Sequence, residues 1–431
     1  GKQKRELSTA GFRRECRTYA EKYVQLMRED FKRLGILGQW DSPYLTMNFS
    51  YQAAIVKALG TLVEKGLVYK GKKPVHWCVH CRTALAEAEV DYQSHTSPSI
   101  YVDFPLADGG TNQLAHIAPA LNGRSVSVLI WTTTPWTLPS NLAIAFHPEF
   151  DYAAYDTSGT VLIVAEQLAE TVSKSVGLVF DVPIARFKGR ELEGLRFRHP
   201  LYERDSIAVL ADYVTLEQGT GAVHTAPGHG ADDFLTGQRY GLDVYAPVNS
   251  SGRFTDDVAQ FSGMRVFDAN PEIENALHDV GHLWNRSDLN HAYPHCWRCH
   301  RPVIFLATPQ WFISMDTTPV ADTQPEADVP SLRNQAVDAI TQVDWFPRWG
   351  EERLRGMLET RPDWCISRQR SWGVPIPALR CRSCDEAILS SAVVDCTEAI
   401  FARHGADAWY EHDLTEFVPN NLECPKCEKK D

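Results

Sequence analysis

Apolar positions change their period along the chain, and each change predicts a different kind of element. Within the first seventy-odd residues Ile55, Leu59, Leu62 and Val63 recur at helical spacing, so a helix with that face inward is expected, with Gly66 and Gly71 as later stops. The texture shifts at Val75. From about residue 96 to 290, short β-branched runs at 126–131, 161–164 and 207–210 are separated by Gly, Pro, Asp and Asn. They predict strands of a barrel-like β domain with a few helices. Beyond about residue 305 the chain becomes rich in Trp and Arg at helical spacing, as at 351–358, and ends in a cysteine-rich patch. No internal repeat or low-complexity segment interrupts this order.

With 431 residues and 44% hydrophobic content, the chain can bury a sizeable core and suggests two to four domains. No apolar run approaches the roughly 18 residues that span a bilayer, and the N-terminus lacks a signal-peptide core, so a cytoplasmic location is expected. The chain opens on Gly1, reaches its first Met at Met27 and stops inside a cysteine-bearing segment, which suggests a piece of a longer protein. A formal charge of -12, from 43 basic and 55 acidic residues, argues against a protein that coats nucleic acid non-specifically. It leaves room for a local RNA groove. Basic clusters stand at residues 2–5, 70–73, 186–198 and 353–382, and each taken singly is ordinarily a solvated face.

Eight of the eleven cysteines form four Cys-x-x-Cys pairs: Cys78/Cys81, Cys296/Cys299, Cys381/Cys384 and Cys424/Cys427. Two such turns supply four soft ligands at tetrahedral corners, so two closed, structural zinc sites in a reducing compartment are expected. The first two pairs flank the β region, which suggests an inserted domain whose ends one metal site brings together. His76, His80, His295 and His300 offer alternative ligands beside the pairs, although surface groups are the plainer reading. Cys16, Cys365 and Cys396 have no such partners and are expected as small buried hydrophobes.

Three longer segments point to a family. Residues 131–141 read Trp-Thr-Thr-Thr-Pro-Trp-Thr-Leu-Pro-Ser-Asn, residues 219–234 read Gly-Thr-Gly-Ala-Val-His-Thr-Ala-Pro-Gly-His-Gly-Ala-Asp-Asp-Phe, and residues 361–377 read Arg-Pro-Asp-Trp-Cys-Ile-Ser-Arg-Gln-Arg-Ser-Trp-Gly-Val-Pro-Ile-Pro. They resemble, in order, the two editing-domain motifs and a catalytic-domain stretch of class I aminoacyl-tRNA synthetases. Valyl and leucyl relatives resemble Thr-Thr-Arg-Pro at the first segment. Thr134 and Trp136 stand instead in the isoleucyl pattern. Shorter matches at 84–92, 310–314 and 347–350 extend the resemblance along the chain.

The resemblance implies an α/β architecture, with part of a Rossmann-like class I catalytic core, an inserted β-rich, barrel-like editing domain and zinc-ribbon elements. The implied segments are core 1–75, half-ribbon 76–95, editing domain 96–290, half-ribbon 291–303, and core again at 304–431 with the second metal segment. It implies a parent enzyme that joins isoleucine to its tRNA using ATP and magnesium and hydrolyses mischarged valyl-tRNA. No membrane and no obligate protein partner is implied. Neither ATP signature of the class is present, since His278-Asp-Val-Gly-His282 has one residue too many for the first, so editing alone is expected of this chain.

By resemblance, Asp233 holds the substrate ammonium, with Asp232 left for the helix start, while Thr132, Thr133 and Thr134 supply hydroxyls near the ester, ribose and attacking water. His224 limits the pocket beside the larger side chain. Trp136, Thr137 and Asn141 complete the wall and the contacts to the terminal adenosine, and Arg368, Gln369, Arg370 and Trp372 shape the aminoacylation cleft. Each has a plainer reading: a Thr triplet is good strand sequence, Asp-Asp after Gly-His-Gly is an ordinary helix N-cap, and the stretch from Trp372 is an ordinary packed segment. The competing functions are a valyl-tRNA synthetase, a free-standing deacylase and a zinc-bearing RNA-binding module.

Overall fold

The computed structural model describes residues 7–108, 110–157, 159–319 and 329–430, so the basic run at residues 2–5 lies outside it. The chain divides into two compact units, Lys72–Pro309 and the pair of segments Gly1–Gly71 and Gln310–Asp431.

In the continuous unit, two sheets carry the strands foreseen in the β region. The larger is ordered Leu283–Cys296, Val90–Pro105, Val126–Thr132, Val161–Ala165, Asp151–Asp156 and Ala185–Lys188. Its neighbours run antiparallel except Val126–Thr132 beside Val161–Ala165, which are parallel. Val128, Leu129, Ile130, Leu162, Ile163 and Val164 are fully buried, because both faces of these inner strands are covered. That is why they read as unbroken apolar runs rather than alternating ones. The smaller sheet is ordered Ala222–Thr225, Ala143–Phe146, Asp205–Leu210 and Arg196–Arg198. Both sheets are open among the described residues. The expected barrel-like β domain is therefore corrected to two open sheets, whose buried inner strands give the same sequence signature.

Val90–Pro105 and Leu283–Cys296 pair over most of their length, from Val90 opposite Cys296 to Val102 opposite Leu283. The ends of a long chain excursion thus meet along a two-stranded ribbon. Gly221 and Gly228 are required by close approach. A Cβ on Gly221, which has φ +79°, would lie 2.3 Å from Ala165 Cβ, and one on Gly228 would lie 2.2 Å from the Tyr245 carbonyl oxygen.

The other unit is mainly helical, with helices Thr9–Arg33, Phe49–Glu64, Leu332–Ile340, Trp349–Glu359 and Ser391–His404. The second of these buries Gln52, Ala53, Val56 and Gly60 and leaves Ile55 44% exposed. The inward face is therefore rotated from the expected one. Gly60 sets the contact, since a Cβ there would sit 2.7 Å from Val394 of Ser391–His404. Gly66 follows the helix end as expected, but Gly71 lies inside the strand Val68–Cys78, so extended structure begins before Val75. The 351–358 pattern does fall in a helix. Cys365 is buried, whereas Cys16 and Cys396 are only half-buried.

Candidate functional site

The cysteine pairs adopt one repeated turn. In each, the residue after the second cysteine has positive φ: Arg82 at 54°, His300 at 52°, Asp385 at 64° and Glu428 at 58°. Its backbone N–H closes onto the carbonyl of the first cysteine, at 2.7, 2.8, 3.0 and 2.9 Å respectively. A non-glycine residue in this region is unfavourable. Four repetitions mark a demanded shape. The turns meet in two groups, Cys78/Cys81/Cys296/Cys299 and Cys381/Cys384/Cys424/Cys427, with all sulfurs of a group within 4.8 Å of one another. Individual Sγ separations are 3.5 Å for Cys78–Cys299, 3.6 Å for Cys381–Cys427 and 3.5 Å for Cys384–Cys424. A tetrahedron with zinc–sulfur bonds of about 2.3 Å has edges of about 3.8 Å, so both groups fit a zinc ion. Four thiols leave no place for a fifth reactant, which makes the fit structural. Of the neighbouring histidines, His295 gives its Nδ1–H to the Tyr293 carbonyl at 2.8 Å.

The second constellation lies where Val126–Thr132 ends and a 3-10 turn, Pro135–Ser140, leads into the smaller sheet. Hydrogen positions follow from the network. Thr137 Oγ1 donates to the Thr134 carbonyl at 2.8 Å, so it accepts from His224 Nε2–H at 2.8 Å and from the Thr134 hydroxyl at 3.2 Å. The Thr134 hydroxyl proton is thereby spent, and Thr132 must donate to Thr134 Oγ1 at 3.2 Å while accepting from Thr134 N at 3.1 Å. Asn141 Nδ2 donates to His224 Nδ1 at 3.1 Å and to the Ala143 carbonyl at 2.8 Å, and its oxygen accepts from Ser206.

This chain fixes the tautomer and orientation of His224. Its ring is neutral with both nitrogens engaged, and burial, with His229 nearby, drops its pKa to about 3. Both ring nitrogens are thus already engaged within the protein. Asn141 is completely buried, with its amide bonded to His224, the Ala143 carbonyl and Ser206. Thr132 and Thr134 each keep one free lone pair on the hydroxyl oxygen. Thr133, half-buried, stands between them.

Asp233 lies in the first turn of the helix Ala231–Arg239, and its Oδ2 accepts from Ala226 N at 2.8 Å, two residues after His224. Burial pushes its pKa up to about 7, with the Asp232 charge adding to the rise and the Ala226 N–H opposing it. Among the described residues this carboxylate has no cationic partner. Asp232 is exposed in the same turn. The N-cap is Gly230, without a side-chain bond, so neither aspartate caps the helix.

One residue missed from sequence is His229. It is 7% exposed, donates Nδ1–H to the Phe305 carbonyl at 3.0 Å and meets the edge of Trp136 at a ring separation of 5.0 Å. It joins the two motif loops, and only its place in the second motif could have signalled it. Trp136 is 2% exposed, with its backbone N–H bound to Asn270 Oδ1 at 3.0 Å.

Arg368, Gln369, Arg370 and Trp372 belong to the other unit. Arg368 grips the Cys365 and Ser367 carbonyls at 2.9 and 2.8 Å, and Gln369 bonds Gln310 at 3.0 Å. Trp372 is 39% exposed beneath the guanidinium of Arg13, which is itself 1% exposed and holds Asp407 and the carbonyls of Ser371 and Gly373. The basic cluster at 186–198 resolves into ion pairs, Arg186 with Glu166, Lys188 with Asp151, Arg190 with Glu149, and Arg196 with Asp205. It is a solvated face. No helix among the described residues is long and apolar enough to cross a membrane.

The family of class I tRNA synthetases (I, L, M and V) matches residues 1–430. Isoleucine–tRNA ligases are similar to the chain throughout. That of Nitratidesulfovibrio vulgaris is 50% identical over 430 residues, 99% of this chain and 44% of the relative. Those of Geobacter sulfurreducens and Petrotoga mobilis are 49% and 47% identical, over 45% and 44% of their own lengths. The chain thus spans less than half the length of these relatives. Among solved structures, GlLeuRS-CP1 is 18% identical with a TM-score of 0.37, covering 44% of this chain and 99% of that one. The editing domain of the P. knowlesi cytosolic leucyl-tRNA synthetase is 13% identical with a TM-score of 0.37, covering 45% and 98%.

Proposed function

Since this chain belongs to the class I tRNA synthetases for isoleucine, leucine, methionine and valine, we propose that it is the proofreading portion of an isoleucine–tRNA ligase, hydrolysing valyl-tRNA. The unit Lys72–Pro309 is read as the inserted editing domain, with its two Cys-x-x-Cys turns as the halves of a zinc ribbon. The other unit is read as part of the catalytic core, where Arg368, Gln369 and Trp372 shape the cleft for the tRNA end. ATP, magnesium, isoleucine and a cytoplasmic setting belong to this reading of the whole ligase.

The need is physical. One methylene supports only about 1–3 kcal/mol of discrimination, for which isoleucine against valine is the standard illustration. The observation that carries the reading is the continuous chain Thr132–Thr134–Thr137–His224–Asn141, with a carboxylate raised to about 7 held on the N–H of Ala226, two residues after His224. Asp233 meets the α-ammonium group, whose charge restores the ionised carboxylate in a charge-assisted pair. The free lone pairs of Thr132 and Thr134 take the ribose hydroxyl or the attacking water. His224, held rigid from both ring nitrogens, sets how large a side chain enters. No protein group in the chain is free to act as a strong base, so positioning and hydrogen bonding provide the rate. Zinc, where bound, holds the turns together and takes no part in hydrolysis.

The test is hydrolysis of pre-formed valyl-tRNA by the purified chain, with isoleucyl-tRNA spared. Asp233→Ala should lower the rate by at least about a hundredfold at matched folded fraction, as expected for losing a charge-assisted anchor. Equal rates for the variant and the wild type would overturn the assignment.

A further inference from the structure

The two turns of the first cysteine group bring Arg82 together with Trp297, Arg298 and Arg301 around one set of sulfurs, Cys78 Sγ and Cys299 Sγ being 3.5 Å apart. All four side chains are exposed, Trp297 by 46%, and the Arg298 guanidinium lies 4.9 Å from the centre of the Trp297 ring. An exposed indole layered with a guanidinium offers a flat face to a further planar group. Elsewhere in this unit Arg124, Arg186, Arg190, Arg196, Arg198 and Arg286 each meet a carboxylate, whereas exposed Arg239 bonds the Leu210 carbonyl and exposed Arg265 stands singly. Arg82, Arg298 and Arg301 make no side-chain ion pair or hydrogen bond among the described residues. The carboxylate of Glu89, whose carbonyl anchors Trp297 N, is turned to Ala86 N at 2.8 Å. What sets the cysteine turns apart is the clustering of three uncommitted cations with a stacking ring, in a chain of net charge -12.

We infer that this cysteine turn pair is a docking surface for RNA, in which Arg82, Arg298 and Arg301 contact backbone phosphates and Trp297 stacks on an unpaired base. Guanidinium forks match phosphate geometry, and an indole face accepts any base, so the surface positions a strand without reading its sequence. An acidic protein partner would use the cations but leave the exposed indole without a role. The inference rests on the proposed tRNA-hydrolysing reading for its choice of RNA, and it adds a contact surface outside the threonine site.

Direct binding of uncharged tRNA for isoleucine to the full chain, by fluorescence anisotropy at several salt concentrations, tests it separately from catalysis. The double variant R298Q/R301Q should reduce the slope of log affinity against log salt by about 1.5, from two lost phosphate contacts. Trp297→Ala should weaken binding about tenfold with little change in slope. Arg186→Gln, which removes a paired arginine, should change neither. Zinc content by elemental analysis should stay at two equivalents in every variant, and the rate of valyl-tRNA hydrolysis at saturating substrate should be kept. Unchanged affinity and slope in the double variant would overturn the surface. Loss of zinc from it would also do so, because the arginines would then only balance the thiolate charge. If the wild type binds tRNA through these residues yet hydrolyses no valyl-tRNA, the hydrolytic reading fails while the surface stands.

Discussion

The cysteine groups and the threonine–histidine site both hold several polar side chains together inside the protein, but by opposite means. In the cysteine groups each turn is locally complete, with its own left-handed residue and its own closing N–H, while four thiols are left facing one another. In the threonine site no local turn suffices: His224 reaches Thr137 from a strand 87 residues away, and every hydrogen-bonding atom of its ring is satisfied by the protein. The first arrangement leaves four ligands that an external ion fits. The second depends on the surrounding sheets. The contrast teaches that the spacing of ligands encodes the first, and only the fold encodes the second.

The largest expected effect divides the cysteine groups themselves. Beside the second group the ladder is only Leu379–Arg380 against Ala387–Ile388, and its small core is made mostly of the cysteines with Ile388. Beside the first runs the long ribbon of Val90–Pro105 and Leu283–Cys296. Structural zinc contributes on the order of 10 kcal/mol to small metal-bound elements. Chelation should therefore lower amide-exchange protection at 379–388 by at least about a thousandfold, and that of the ribbon by less than about tenfold. Equal loss in both places would show that the ribbon is also held by its metal.

The same contrast marks what was legible in the sequence. The cysteine pairing was read from spacing, and the inner strands were visible because burial on both faces leaves apolar runs. The inward face of Phe49–Glu64 was misjudged, since close packing at Gly60 selects small residues there and turns the larger Ile55 outward. Barrel closure was not legible either, because an open sheet covered on both sides carries the same pattern. In the site, the motifs named Thr132, Thr134, His224 and Asp233, but the direction of each proton and the bracing work of Asn141 and Ser206 arise only from contacts across the two sheets. His229 carried no spacing signal of its own.

Acid should separate the two arrangements next. Burial holds His199 and His224 at a pKa of about 3 and His229 at about 4, below the ordinary histidine value. Their contribution to stability is complete above pH about 6.5 and is lost as pH falls toward the folded-state values, at about 1.4 kcal/mol per pH unit for each. Burial lowers His76 to about 4 as well, while Asp233, raised to about 7, acts in the opposite sense between about pH 4 and 7, so roughly three protons remain in the balance. Urea unfolding should thus show a loss of about 4–6 kcal/mol between pH 7 and 5. His229→Gln should flatten that dependence by about one proton. An unchanged slope in this variant would mean that His229 is protonated in the folded protein.

The smallest effects concern the neighbouring aspartates and ask how far the threonine site is built for a cation it must await. Asp233 has a folded-state pKa above its ordinary value, so its favourable contribution is full below pH about 4 and gone once pH passes about 7. At pH 8 the ionised carboxylate therefore costs stability, though the helix N-terminus softens the cost. Asp233→Asn keeps an oxygen for Ala226 N and removes the charge. It should stabilise the chain at pH 8 by about 1–2 kcal/mol and be neutral at pH 4, while abolishing valyl-tRNA hydrolysis. Asp232 is exposed in the same helical turn and has only the helix dipole to favour it, so Asp232→Ala should cost about 0.3–1 kcal/mol and leave hydrolysis unchanged. Unfolding of both variants at the two pH values, set beside their hydrolysis rates, decides the matter. Destabilisation by Asp233→Asn at pH 8 would mean that the carboxylate already has a cationic partner in the free protein, and the contrast between a self-sufficient hydroxyl chain and a waiting anion would fail.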